Sequence, residues 1–266
     1  MSARRGLFTF AAVTGEMSEQ VVWSGAPSFP MAYRLSSCDY WLVMKKIVRG
    51  IVDFRKNVRP HVKETFAQLA LGQAPDTLFI ACSDSRVVPN LFASSDPGDL
   101  FVIRNVGNLI PICGEEGHSH SDESEAAAIE FALLNLPVAE IIVCGHSECG
   151  AMHSIAYGHE PVEAPNLNSW LRHGRGSVKR LKGGATIGSH LDLHNQISQI
   201  NVLEQIEHLK TYPIVQQRLK EGRIKLHAWW FDIKEADVYE YEASEGKFHL
   251  IDEEYARTLL QDRRED

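Results

Sequence analysis

Thr-Leu-Phe-Ile-Ala-Cys-Ser-Asp-Ser-Arg, residues 77–86, joins a short apolar run to a cluster of polar side chains. The apolar part has the length and composition of a buried β-strand. Similar runs occur at 100–103 and 140–144, with a helical pattern at 124–136 between them. Because strands that alternate with helices form parallel sheets, we predict an α/β fold. Its central sheet is expected to hold about four parallel strands plus an antiparallel edge strand, flanked by helices.

Further patterns extend this core in both directions. A helical apolar stripe begins near Met44 and a second helix is predicted from His61 to Leu71, which together make an N-terminal helical arm at about 45–72. Farther along, the patterns predict a Gly-rich loop at 174–190, helices at 195–209 and 213–220, a strand at 224–231 and an edge hairpin at 238–251. The α/β core is then expected at about 75–242, followed by a tail to residue 266.

The N-terminal 43 residues differ from the rest of the chain. They mix Gly, Ser and Pro with scattered aromatic residues and show neither strand nor helix periodicity. We predict that residues 1–43 are a disordered or non-core extension and that residues 44–266 form one domain. Arg4 and Arg5 precede a short apolar run that faintly matches a twin-arginine export signal, but a clean cleavage site is missing, so export is not expected.

Composition limits the location and the partners. The chain of 266 residues is 44% hydrophobic and 23% charged, which is typical of globular proteins. Its net charge of −8 disfavours nucleic acid and anionic membranes as partners, because both attract clustered Lys and Arg. No apolar stretch approaches the ~20 residues that span a bilayer. The five cysteines, an odd number at low density, favour metal binding in a reducing compartment, so we expect a cytoplasmic protein.

Two cysteines and a histidine have the residue types and spacing of a zinc site. Cys82 follows the first strand, and His146 and Cys149 follow the strand predicted at 140–144. The carboxyl ends of parallel strands meet at one sheet edge, where ligands bind in α/β proteins. His146 and Cys149, spaced by three at a predicted helix start, are expected on one face. Zn²⁺ favours about four ligands drawn from Cys, His and carboxylates, and these residues would supply three of them.

Asp84 leaves the nature of this site open. As a fourth ligand it would close a structural site, whereas water takes that position in catalytic zinc sites. Asp84 and Arg86 are expected on the same side of an extended segment, where a carboxylate and a guanidinium can form a bidentate pair. Cysteine-dependent phosphatases, zinc deaminases and zinc ribbons use similar residues, but each needs a spacing that this chain lacks.

Three blocks of sequence carry a more specific signal. They are Ala-Cys-Ser-Asp-Ser-Arg-Val at 81–87, Val-Ile-Arg-Asn-Val-Gly-Asn at 102–108 and Cys-Gly-His-Ser-Glu-Cys-Gly at 144–150. In this order they resemble the β-class carbonic anhydrases, and the resemblance extends over about residues 45–242. It implies a homodimer or higher homo-oligomer in which the N-terminal helices embrace a partner.

The resemblance also implies the chemistry of the site. Cys82, His146 and Cys149 would hold one Zn²⁺ per chain, with Asp84 and Arg86 as a catalytic dyad. The implied activity is the reversible hydration of CO₂ to bicarbonate and a proton, by attack of zinc-bound hydroxide. In a closed form known in the family, Asp84 becomes the fourth zinc ligand and displaces the water.

Departures from the family pattern and two alternatives remain. Some members stabilise the closed form with bicarbonate held by a Trp, an Arg and a Tyr, where this chain has Phe79, Arg104 and Phe231. Loss of the indole N–H and the phenol O–H predicts that this bicarbonate control is absent. The alternatives are hydrolysis of carbonyl sulfide or carbon disulfide on the same zinc site, and a non-catalytic zinc-binding scaffold or sensor.

Overall fold

A computed structural model describes residues 37–121, 123–159 and 162–262 of the chain. The chain divides into two compact units, with the boundary after Pro60. The first unit contains helix α1 (Ser37–Asp53), which continues into a turn of π-helix (Phe54–Val58).

The helical arm starts earlier than predicted. Most of the extension predicted at residues 1–43 lies outside the described residues, yet helix α1 already begins at Ser37 rather than near Met44. The apolar pattern continues N-terminally of Met44, because Trp41, Leu42 and Val43 precede it in the sequence. Helix α2 (Arg59–Leu69) begins at the boundary between the units and corresponds to the helix predicted from His61.

The second unit is built on one six-stranded sheet. Its strands are β1 (Thr77–Cys82), β2 (Leu100–Asn105), β3 (Glu140–His146), β4 (Lys225–Asp232), β5 (Asp237–Glu242) and β6 (Lys247–Leu250). They lie in the order β2-β1-β3-β4-β5-β6. The pairs among β2, β1, β3 and β4 are parallel, which confirms the predicted α/β fold with four parallel strands. The antiparallel edge is a two-stranded hairpin, β5 and β6.

Helices flank this sheet. The described ones are α3 (Pro89–Phe92), α4 (Glu123–Asn135), α5 (Gly150–Tyr157), α6 (Pro165–Leu171), α7 (Arg175–Lys182), α8 (Leu193–Leu209), α9 (Pro213–Lys220) and α10 (Glu253–Asp262). The prediction of a loop over 174–190 is wrong in its first half, where α7 forms. Only Val178 and Leu181 of α7 pack on the core, so its apolar stripe is too thin to detect. In the part of the chain that the structure describes, no helix is both long enough and apolar enough to cross a membrane.

Strand register brings the two predicted halves of the site to one sheet edge. Ala81 of β1 lies beside Cys144 of β3, so Cys82 and His146 leave the sheet side by side. Helix α8 packs closely on this end of β3 at Gly145, where an added Cβ would lie 2.6 Å from Cγ2 of Val202. A side chain at Gly145 would therefore push α8 away from the edge that carries the site.

A buried ion network crosses the other end of the sheet. Nδ1 of His227 lies 2.6 Å from Oε1 of Glu240, and Nε2 lies 2.7 Å from Oε2 of Glu140. Burial lowers the pKa of His227, but the hydrogen bonds to the two carboxylates outweigh it and raise the pKa above the ordinary 6.5. His227 therefore ties β3, β4 and β5 together best as an imidazolium that donates to both carboxylates.

We expect this network to make the free energy of unfolding depend on pH. A folded-state pKa above the unfolded value means that the contribution of His227 is complete below the unfolded pKa of about 6.5 and is lost as the pH rises through the folded pKa. His227→Gln should flatten this dependence and lower stability below about pH 6.5 by about 1–3 kcal/mol, because two carboxylates lose a donor. Urea unfolding across this range measures both effects, with His190→Gln at an exposed histidine as control. An unchanged pH profile in His227→Gln would contradict the assignment.

Candidate metal centre and catalytic dyad

Cys82 ends β1 with its side chain buried. The backbone N–H groups of Asp84 and Gly107 donate to its Sγ at 3.4 and 3.3 Å. Such donors stabilise a thiolate, the form of cysteine that binds metal. Gly107 has a φ of 82°, and a Cβ there would lie 2.8 Å from the Cβ of Ala151. Only glycine can therefore present this N–H to the sulfur.

His146 ends β3 and is completely buried. Its Nδ1 lies 2.8 Å from the carbonyl oxygen of Ser147. A carbonyl can only accept, so Nδ1 carries the proton and Nε2 keeps its lone pair. Nε2 is buried and has no hydrogen-bond partner among the described residues. Histidines that bind metals are usually fixed by a hydrogen bond on the other ring nitrogen in this way.

A tight turn brings Cys149 back beside His146. Glu148 has a φ of 55°, which is uncommon outside glycine, and Cys149 is the N-cap residue of α5. His146 and Cys149 therefore meet through the turn, and the prediction that they share a helical face is wrong. The ligand atoms of Cys82, His146 and Cys149 all lie within 4.8 Å of one another. Within the described ranges, this is the one group of His, Cys and carboxylate side chains that converges so closely.

The two sulfurs interact directly. Cys149 donates to the sulfur of Cys82, and this hydrogen bond, opposed by burial, lowers the pKa of Cys82 to about 4. The same contact, together with burial, raises the pKa of Cys149 well above its usual range. A thiolate, a second sulfur and an imidazole lone pair thus face one point. This donor set fits Zn²⁺, which prefers sulfur and nitrogen ligands.

Asp84 and Arg86 form a bidentate ion pair beside these ligands. Nε and Nη2 of Arg86 donate to Oδ1 and Oδ2 of Asp84 at 2.9 and 2.7 Å. The predicted pairing is present, but the backbone is a turn rather than an extended segment, closed by Val87 N–H to the Asp84 carbonyl at 3.1 Å. The hydrogen bond from the Arg86 side chain is the main cause that lowers the pKa of Asp84 to about 2. Asp84 is therefore an ionised carboxylate across the physiological range.

Arg104 of β2 ties this loop to the sheet. Its Nε and Nη2 donate to the carbonyl oxygen of Cys82 at 3.1 and 2.9 Å, and Nη2 also donates to that of Asp84 at 2.7 Å. The guanidinium fixes the backbone on both sides of Ser83. Arg104 therefore positions the backbone of Cys82 and of Asp84 at once.

Helix α8 holds the second half of the site through Asn195. The side chain of Asn195 accepts from the backbone N–H of Glu148 at 2.8 Å and donates to Glu148 Oε1 at 2.9 Å. The carbonyl oxygen of Glu148 accepts from Nη2 of Arg86 at 3.0 Å. Sequence reasoning gave no role to Gly107, Glu148 or Asn195. Gly107 could have been identified, because it is a glycine within the block 102–108 that resembles a known family. Asn195 belongs to no sequence motif that would indicate its role.

Other cysteines and histidines of the chain lie outside the cluster of Cys82, His146 and Cys149. Cys144 is fully buried in β3, and burial raises the pKa of its thiol. Cys113 is a buried free thiol. His118 and His120 are exposed. Among the described residues, the structure thus brings together the three candidate ligands and the candidate dyad that the motifs singled out.

Comparison with known proteins agrees with this geometry. A sequence profile of the family described as "Carbonic anhydrase" matches residues 77–238. A carbonic anhydrase of Synechococcus elongatus is 38% identical over 211 residues, covering 79% of this chain and 76% of the relative. The solved structure of the β-carbonic anhydrase CcaA superposes with a TM-score of 0.72 at 37% identity, covering 79% of this chain and 93% of the other. One of two tetrameric β-carbonic anhydrases of Sordaria macrospora gives a TM-score of 0.57 at 28% identity, over 77% and 96% of the two chains. This chain belongs to the β class of the carbonic anhydrase family.

Proposed function

We propose that this protein catalyses the zinc-dependent, reversible hydration of CO₂ to bicarbonate and a proton. The observation that carries the proposal is the convergence of Cys82, His146 and Cys149 next to the ion pair of Asp84 and Arg86. These three residues would hold one Zn²⁺ per chain. The metal supplies Lewis acidity, which lowers the pKa of a water molecule from 15.7 to about 7.

Asp84 would orient the attacking water. Its pKa of about 2 makes it a weak base, so it does not store a proton near neutral pH. Its carboxylate can instead accept a hydrogen bond and so direct the lone pair of the attacking oxygen toward CO₂. Arg86 holds both carboxylate oxygens, which favours the arrangement in which Asp84 stays off the metal. Asp84 would become the fourth ligand only when it leaves Arg86.

Stopped-flow measurement of CO₂ hydration on the zinc-loaded protein tests the proposal. We expect turnover well above that of a Cys82→Ala control. The same preparation is then offered carbonyl sulfide and carbon disulfide. Turnover of these two substrates without CO₂ hydration would assign the site to their hydrolysis. Stoichiometric zinc with no turnover of any of them would make the protein a zinc-binding scaffold.

We expect no cooperative inhibition by bicarbonate. Phe79 and Phe231, which stand where some family members have Trp and Tyr, offer no hydrogen-bond donor and pack with Phe92: Phe92 stacks on Phe231 at 4.7 Å between centroids, and Phe79 lies 6.0 Å from Phe92. Arg104 already makes three hydrogen bonds to backbone carbonyls. Bicarbonate added before mixing should therefore lower the hydration rate only as a competing product, with hyperbolic concentration dependence. A steep, sigmoidal loss of rate would contradict this.

We propose that the protein is a cytoplasmic homo-oligomer. Helix α1 exposes several large apolar side chains, including Met44, Ile47, Val48 and Ile51. Contiguous exposed apolar surface of this kind marks a protein interface, and tetramers occur among the structural relatives. The described cysteines outside α1 are free thiols, as a reducing compartment would maintain.

A further inference from the structure

Three histidines lie together around the C-terminal end of helix α5, and none of them belongs to the proposed zinc ligands. The ring of His153 lies 5.4 Å from that of His194 and 5.7 Å from that of His159, measured between centroids. Tyr157 packs on His153 at 4.6 Å. We infer that His153, His159 and His194 bind a second divalent transition-metal cation, of the zinc class.

The spacing of the rings suits such a cation. A metal lies about 2.0 Å from an imidazole nitrogen, so two tetrahedral imidazole ligands place their ring centroids about 5 Å apart. The observed separations of 5.4 and 5.7 Å are close to this. The nitrogens do not yet converge as tightly as the ligand atoms of the proposed zinc centre. Binding of one cation by all three rings requires the exposed His159 side chain to turn toward His194.

His194 provides the independent sign of a ligand. It is 9% exposed, and its Nδ1 is buried without a hydrogen-bond partner among the described residues. Its Nε2 lies 3.2 Å from Oε1 of Glu148, so Nε2–H donates to the carboxylate and the lone pair remains on Nδ1. A carboxylate that orients the far nitrogen of a histidine is the usual outer support of a metal-binding imidazole.

The backbone brings His159 to this place. Helix α5 ends at Gly158, whose φ of 71° reverses the chain, and the N–H of His159 donates to the carbonyl of Ser154 at 3.1 Å. His159 and Tyr157 are exposed, so a cation has a path from solvent to the more buried His153 and His194. Imidazole ligands favour zinc, nickel and copper over calcium or magnesium.

Glu148 connects this cluster to the proposed catalytic dyad. Its carboxylate holds His194, and its carbonyl oxygen accepts from Arg86 at 3.0 Å. Glu148 is a positioning residue for the second site. Because loss of an outer-shell partner typically weakens metal binding about 10- to 100-fold, Glu148→Gln should weaken binding of the second cation by that factor.

Equilibrium dialysis of the full chain against Zn²⁺, followed by metal analysis, tests the inference. Starting from protein that already holds its first zinc, we expect saturation at two zinc ions per chain. His159→Ala and His194→Ala should each saturate at one, and the control His118→Ala, at an exposed histidine, should saturate at two. His159 is exposed and its loss does not threaten folding, so that variant stays interpretable if His194→Ala unfolds.

Two results would overturn the inference. One is saturation of the parent chain at a single zinc, and the other is retention of the second zinc by His159→Ala and His194→Ala. A second readout is thermal unfolding, in which excess Zn²⁺ should raise Tm of the parent chain and of His118→Ala but not of His159→Ala. Neither readout depends on CO₂ turnover, so failure here is distinguishable from failure of the proposed activity.

Discussion

Arg86→Ala is expected to lower kcat/KM for CO₂ hydration by about 10²-fold or more while the zinc at Cys82, His146 and Cys149 stays bound. The side-chain hydrogen bonds of Arg86 go to both oxygens of Asp84 and to the carbonyl of Glu148. Without it, the Asp84 carboxylate remains ionised but is free to turn toward the metal. The loss is therefore one of orientation, and it should appear in kcat with little change in zinc content.

The design of this experiment separates an enzyme from a structural zinc site. Arg223 lies two residues from Glu221, with 3.7 Å between Nη1 and Oε2, and so offers an exposed ion pair with the same sequence spacing as Asp84 and Arg86. Arg223→Ala should leave both zinc and rate unchanged. Stopped-flow assays and metal analysis are run on both variants. If Arg86→Ala retained full activity, Asp84 and Arg86 would not be a catalytic dyad.

The sheet and the convergence of the three candidate ligands were predictable from sequence because each rests on a local signal. Apolar runs such as 77–81 indicate buried parallel strands. Residues at the carboxyl ends of these strands lie at one edge of the sheet, regardless of the conformation of the connecting loops. The proximity of Cys82 and His146 could therefore be predicted from the sequence. Helix α7 could not be predicted, because only its two apolar side chains, Val178 and Leu181, pack on the core and four of its eight residues are basic.

The local backbone of the site was not predictable. Asp84 and Arg86 pair through a turn, and Glu148 adopts a left-handed conformation that sequence pattern does not suggest for a glutamate. This conformation is held by Asn195, whose partner lies 47 residues away in the chain. A contact between such distant residues leaves no periodicity in the sequence. The hydrogen bonds by which Asn195 supports the site could therefore be identified only from the structure.

Cys82→Ala is expected to abolish both zinc binding and CO₂ hydration. Cys82 is the ligand with the strongest thiolate character, since its pKa is lowered to about 4 and two backbone N–H groups donate to its sulfur. Removing it leaves two ligands, His146 and Cys149, too few for a stable zinc site. The zinc bound at this centre should fall from one per chain to near zero, and the hydration rate should fall to the buffer background.

Cys144→Ala is the matched control, because it removes a buried cysteine from the adjacent strand. Cys144 lies beside Ala81 in the register of β3 and β1, and its high thiol pKa keeps it uncharged. This variant should keep its zinc and its activity and lose only packing, on the order of 1 kcal/mol. Two results would show that the three predicted ligands do not form the metal centre. One is that Cys82→Ala binds as much zinc as the parent chain, and the other is that Cys144→Ala loses as much zinc as Cys82→Ala. Loss from Cys82→Ala alone would instead place the metal at the end of β1, where the ordered backbone around Ser83 already supports it.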